Sequence, residues 1–215
     1  MHSLNEKTCF ILLPGKLEKH GYTTIASNFF GDTVVGDFQK LTMRECQENI
    51  SNIINRATLK YDRVIGIGVS LGGALLLEHA KNKSNLYGIV SIGTPFKLKY
   101  RRLMSIGEFI LPIVYPIWKK FEKIKRLRLL PIGAGPAVIQ YLENEFLQKL
   151  ESVHTPILFL HSKKDLVTDY RALPKFSDKI SSTNKKVIFT ENGDHVIDHD
   201  PEFIFDKLAR FFGFL

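Results

Sequence analysis

The strongest constraint on the fold is the stretch Val64-Ile65-Gly66-Ile67-Gly68-Val69-Ser70-Leu71-Gly72-Gly73-Ala74-Leu75-Leu76-Leu77. An apolar, β-branched run passes without a loop into small residues and leucines, the pattern of a strand joined to a helix by a tight turn. Gly68 and Gly72 flank Ser70 because a Cβ at either position would collide with backbone in so close a turn. The Ser70 hydroxyl is then expected above the sheet edge, with the N–H groups of the helix N-terminus facing any negative charge that develops there. Gly-x-Ser-x-Gly is a short pattern that also surrounds buried serines in ordinary Gly-rich turns. Its strand–helix context and the additional Gly73 single out Ser70 as a nucleophile.

The rest of the chain repeats that rhythm. Residues 8–13, 22–26, 63–68, 86–92, 157–161 and 185–190 form short apolar runs bounded by turn residues. Strands covered on both faces lose their polar alternation, so each is expected to be buried. Ile50, Ile53, Ile54 and Ala57 recur at helical spacing and predict a helix over 42–58. Ile204, Leu208, Phe211 and Phe212 predict a final helix opened by Pro201, where the missing N–H costs nothing. Strands alternating with helices imply an α/β fold, a mostly parallel, doubly wound sheet of about six strands.

One segment departs from the pattern. Residues 96–150 contain no convincing strand, and Ile139, Leu142, Phe146 and Leu150 have helical spacing. This stretch is expected to be a helical cap inserted after the fourth strand, with 1–95 and 151–215 forming the core domain. Such an insertion lies at the carboxyl edge of the sheet, where open α/β sheets bind ligands.

Composition places limits on function. The chain has 215 residues, 44% of them hydrophobic, enough for one domain with a substantial core. Its two cysteines, Cys9 and Cys46, make no disulfide framework and suit a reducing compartment. The apolar run at 9–13 stops at Pro14-Gly15, too short for a signal peptide, and 103–118 is broken by Gly107, Pro112 and Pro116. A cytoplasmic location is the expectation. The net charge of +8 invites a nucleic-acid or membrane reading, but residues 97–128 carry ten Lys/Arg against two acids and the remainder is balanced. Aromatics in that segment cluster in its apolar centre rather than interleave with the basic residues, so no nucleic acid is expected.

Two further stretches carry chemistry. His161-Ser162-Lys163-Lys164-Asp165-Leu166-Val167 follows a strand, and Asn192-Gly193-Asp194-His195-Val196-Ile197 precedes the final helix. With the Ser70 turn, these motifs make the chain resemble the α/β-hydrolase fold, and within it the small bacterial carboxylesterases and monoacylglycerol lipases. The order Ser70, Asp165, His195 is the order that fold uses. The resemblance spans nearly the whole chain and implies a serine hydrolase acting on carboxylic esters, medium-chain or monoacylglycerol-like. It implies Ser70 as nucleophile, His195 as general base and Asp165 as the acid that orients the imidazole. No cofactor is implied, and the partner is a small-molecule acyl ester. A thioester would use the same residues. Asp169 is the rival acid, set aside because Asp165 occupies the first turn after the strand and the family position. Among the rival histidines, His199 suits a surface or capping role and His161 a packed structural one. His195 and His199 with Asp194, Asp198 and Asp200 also resemble a metal cluster, but Gly193 and Pro201 make this a loop rather than a helical face, so no metal is expected.

The sequence also departs from the family. Only five residues separate Gly15 from Gly21, where relatives carry a loop and a helix, and the sheet is expected to begin at Thr8 without the usual leading strands. The oxyanion formed on attack needs two N–H donors, expected from Leu71 and, by position, Lys16. A shortened loop leaves open a weakly active or non-catalytic acyl-binding relative. In the insertion, Phe109 and Trp118 are expected to line an acyl pocket. Its basic flanks have two readings, a solvated face or peripheral contact with anionic lipid.

Overall fold

The structure, a computed structural model, describes residues 8–12, 23–26, 42–83, 85–99, 136–191, 193–195 and 201–214. Strands β1 (Thr8–Leu12), β2 (Thr23–Ala26), β3 (Arg63–Val69), β4 (Gly88–Ile92), β5 (Ile157–Ser162) and β6 (Lys185–Thr190) form one sheet in the order β2-β1-β3-β4-β5-β6. Every pairing is parallel. The fold is thus α/β with a parallel sheet, as the alternating pattern implied.

Helices cover both faces because the central strands are apolar on both. Along β5, Ile157 and Phe159 join one core cluster while Leu158 and Leu160 join the other, the two-residue alternation of a pleated strand. The first cluster is closed by α1 (Met43–Thr58) and α2 (Leu71–Asn82). Helix α1 starts at a capping box: Thr42 accepts from the Glu45 N–H while the Glu45 carboxylate accepts from the Thr42 N–H. It buries Cys46, Ile50, Ile54 and Ala57 as one stripe. The second cluster is closed by the last helix, α5 (Pro201–Phe212), through Leu208, Ala209 and Phe212; α4 is the short helix Leu173–Ser177. There the helix lies so close to β4 that a Cβ on Gly88 would overlap the Phe212 ring. Burying each such Leu or Phe contributes about 1.5–3 kcal/mol. Strand β6 is only half-buried rather than sealed, consistent with its place at the end of the strand order.

Both described ends of the expected 96–150 insertion pack against the core. Helix α3 (Pro136–Asn144) and the turn after it place Tyr141, Leu142, Phe146 and Leu150 in the first core cluster. Phe96 packs in the same place, its ring centroid 5.4 Å from that of Phe146 and 5.9 Å from that of Phe159. Helical spacing marked an apolar stripe here, and that stripe faces the sheet-bound core. Phe109, Trp118 and most of the basic segment lie outside the described residues, as does Lys16. Among the described residues no helix is long and apolar enough to cross a membrane.

Candidate active site

The turn between β3 and α2 holds Ser70 at φ 53°, ψ −120°, a region that non-glycine residues rarely occupy. Such strain, about 1–3 kcal/mol, persists only where the surroundings over-determine it. Here the Ser70 N–H donates to the Ile92 carbonyl of β4 at 2.7 Å, and the Ser70 carbonyl accepts from the Gly73 N–H at 3.0 Å. The turn also closes on itself: a Cβ on Gly68 would lie 2.5 Å from the Gly72 carbonyl and the Gly73 nitrogen. A Cβ on Gly73 would overlap the Thr94 hydroxyl. Leu71 is the first residue of α2, so its N–H has no acceptor within the helix.

Three side chains from distant parts of the chain meet above the sheet edge. His195 Nε2 is 2.8 Å from Ser70 Oγ, and its Nδ1 is 2.8 Å from Asp165 Oδ2. A carboxylate only accepts, so the proton on this edge sits on Nδ1. Nε2 is then bare and accepts from the Ser70 hydroxyl. This is the tautomer in which the imidazole can take the serine proton.

Asp165 is fully buried. Burial penalises its charge, yet hydrogen bonds from His161, His195 and Thr168 outweigh that penalty and hold the carboxyl well below the usual carboxylate range. Oδ1 accepts from the backbone N–H groups of Val167 (2.7 Å) and Thr168 (2.9 Å). Oδ2 accepts from the Thr168 hydroxyl (2.5 Å) as well as from His195. The loop is also tied from outside. Leu98 bridges Thr168 in antiparallel fashion, the Lys99 N–H donates to the Val167 carbonyl at 2.9 Å, and the Asp169 N–H donates to the Lys97 carbonyl at 2.8 Å. The Lys99 ammonium donates to the Asp165 carbonyl.

The rival residues lie elsewhere or do other things. Asp169 caps the short 3-10 turn Tyr170–Ala172 and pairs with Arg171 and Lys97; the Arg171 guanidinium holds its carboxyl low. His161 is buried at the end of β5 and contacts Asp165 rather than Ser70. His199 lies outside the described residues. Among the described residues no group of three His, Cys, Asp or Glu is placed to hold a metal.

Sequence reasoning missed several residues that shape this cluster. Gly93, just beyond β4, has φ +57°, and a Cβ there would lie 2.5 Å from the His195 carbonyl oxygen. The Ser162 hydroxyl donates to the Gly193 carbonyl at 2.8 Å, linking the acid-bearing loop to the histidine-bearing one. The available signals were a glycine directly after a strand and a hydroxyl three residues before the acid. Both are common enough to pass unnoticed.

A family model described as serine aminopeptidase, S33, matches residues 137–202, which include Asp165 and His195 but not Ser70. No curated protein matches the sequence. Solved structures are similar throughout. One of the metagenome-derived lipolytic enzymes LipS and LipT superposes with TM-score 0.70 at 16% identity, covering 97% of this chain and 93% of that one. The monoacylglycerol lipase of Paleococcus ferrophilus gives 0.66 at 13% identity, with 95% and 92% covered. A soluble variant of the Saccharomyces cerevisiae monoglyceride lipase, bound to a substrate analogue, gives 0.69 at 14% identity, with 97% and 86% covered. At these identities it is the fold that is shared, and the chain therefore has the α/β-hydrolase fold.

Proposed function

We propose that the chain is a serine hydrolase that cleaves carboxylic esters through an acyl-enzyme on Ser70. The observation that carries this reading is the continuous relay from the Ser70 hydroxyl through His195 to a buried, ionised Asp165. Ser70 Oγ attacks the ester carbonyl as its proton passes to His195 Nε2, and the tetrahedral intermediate places negative charge on the former carbonyl oxygen. The Leu71 N–H, with Lys16 as the second donor, stabilises that oxygen; one such donor is worth about 10²–10³ in rate. The intermediate collapses, the C–O bond to the alcohol breaks, and the alcohol leaves with the proton from His195. Water then attacks the acyl-enzyme with His195 again as base, releasing the acid and free Ser70. Asp165 stabilises the imidazolium in both steps.

The substrate class follows the similarity to lipolytic enzymes together with the apolar centre of the 97–128 segment. It is a medium-chain or monoacylglycerol-like ester, with Phe109 and Trp118 against the acyl chain. The basic flanks of that segment are proposed to meet an anionic lipid surface, at about 1 kcal/mol per Lys or Arg near it.

A weakly active or acyl-binding relative is the second reading, favoured by the five residues between Gly15 and Gly21. An active-site-directed fluorophosphonate separates the two. Covalent attachment at Ser70, abolished in Ser70→Ala and in His195→Ala, is the expected result. A folded wild-type protein that does not label overturns the hydrolase reading. A series of p-nitrophenyl esters of increasing chain length then defines the acyl preference.

A further inference from the structure

We propose that His161 is a positioning residue of this site: its Nε2–H, together with the Thr168 hydroxyl, holds the Asp165 carboxylate in the orientation in which Oδ2 faces His195. For its effect on turnover the proposal rests on the hydrolase reading; the hydrogen-bond cluster itself does not.

The protons in the cluster can be assigned one by one. His161 is sealed, 2% exposed, and its Nε2 lies 3.1 Å from Asp165 Oδ2 and 2.8 Å from Thr168 Oγ1. The Thr168 hydroxyl has a single proton, and at 2.5 Å from Asp165 Oδ2 that proton goes to the carboxylate. Thr168 Oγ1 can therefore only accept from His161, and Asp165 can only accept as well. Both neighbours require a proton on His161 Nε2, which fixes the His161 tautomer as firmly as Asp165 fixes that of His195. The donors run in sequence from His161 to Thr168 to Asp165, and such chains polarise one another in a low-dielectric interior.

Without His161 the geometry would be less determined. Oδ1 is held by two backbone N–H groups, which leave the carboxylate plane free to rock about that edge. On Oδ2 the anchors are Thr168, His161 and the His195 ring that Oδ2 must itself orient. Thr168 is aimed in turn by His161. Removing the imidazole thus loosens two of three contacts on the oxygen that faces His195. His161 has no contact with Ser70, so it acts through Asp165 alone.

The test compares wild type with His161→Phe, which keeps a ring but no donor, and His161→Gln, whose Nε2–H can occupy the same place. The 1H and 15N shifts of the His195 Nδ1–H group report the Asp165–His195 bond directly, whether or not the protein turns over substrate. The Phe variant is expected to move that signal toward a weaker bond. It should also lower kcat for a p-nitrophenyl ester about 10- to 100-fold with KM within twofold, the effect of a misplaced catalytic group. The Gln variant is expected to restore both. An unchanged His195 signal in the Phe variant, or a Gln variant as impaired as the Phe variant, overturns the proposal and leaves His161 as packing. Should the Phe variant not fold, Thr168→Val interrupts the same chain and carries the same expectation, and an unchanged signal there overturns it equally. If the signal responds as expected but the wild-type protein has no turnover and does not label, the hydrolase reading falls and the positioning role stands.

Discussion

Gly93 and His195 occupy a space that one methyl group would fill: a Cβ on Gly93 would lie 2.5 Å from the His195 carbonyl oxygen and 3.4 Å from its Nδ1. Gly93→Ala is therefore expected to displace the histidine and to strain a residue at φ +57°. Turnover should fall about 10²-fold, the scale for a misplacement near 1 Å. Stability should fall by about 1–2 kcal/mol from the left-handed backbone alone. Ester kinetics and a urea midpoint measure the two effects separately. Wild-type turnover in this variant would mean the histidine loop is not held by Gly93.

Ser70 predicts an inversion of the ordinary stability ranking. Glycine in place of alanine normally destabilises by about 0.5–1 kcal/mol. At φ 53°, ψ −120° glycine is free of strain and alanine is not. Ser70→Gly is expected to be more stable than Ser70→Ala by about 1 kcal/mol, while both lose fluorophosphonate labelling. Equal urea midpoints would show that the turn stores no strain.

Asp165 gives a pH-dependent prediction with a definite sign. Its folded carboxyl titrates below the usual value, chiefly because the hydrogen bonds from His161, His195 and Thr168 outweigh burial. A lowered acid contributes stability that is fully present above its unfolded pKa, about 3.9, and is lost as pH falls toward the folded value. Asp165→Asn lacks this contribution. The stability gap between wild type and variant should therefore be constant from pH 7 to about pH 5 and narrow below about pH 4. Denaturant melts at a series of pH values test this; a gap that widens on acidification contradicts the assigned ionisation.

Packing of the last helix is tested at Gly88, where a Cβ would overlap the Phe212 ring. Gly88→Ala is expected to destabilise by about 1–3 kcal/mol through overpacking. In a Phe212→Leu background the same change should cost less than half as much, since the ring it strikes is gone. Additive effects in the double-mutant cycle would place the α5–β4 contact elsewhere.

The basic flanks of 97–128 are tested on vesicles. Replacing Lys119, Lys120, Lys123 and Lys125 by Gln should reduce sedimentation with phosphatidylserine vesicles at 0.1 M salt. Neutral phosphatidylcholine vesicles should not distinguish the proteins. Equal binding on the anionic vesicles would leave a solvated charged face.

The sequence displayed some of this plainly and hid the rest for a physical reason. Ser70 announced itself because a strand, a tight turn and a helix leave a local composition that few other structures need. Asp165 and His195 were legible through their turns and their chain order, and the structure brings both to Ser70. Thr168 and His161 lie in one short stretch with Asp165, but only the folded loop turns them onto its carboxylate, and Gly93 matters through its approach to His195 from a distant part of the chain. The packing of residues 136–150 was hidden for a similar reason. Helical periodicity locates an apolar stripe but not the surface it meets, and the stripe of Tyr141, Phe146 and Leu150 meets the core.

The ladder between Lys97–Lys99 and Val167–Asp169 sets where this chain could be recombined. Leu98 bridges Thr168, and the backbone bonds on either side make the start of the insertion and the acid-bearing loop one piece of architecture. A graft that exchanged the segment from Phe96 onward would also remove a core aromatic and the outer brace of Asp165. Splicing after Lys99 and before Pro136 keeps both. Exchange of residues 100–135 within those bounds leaves the brace of the acid-bearing loop in place.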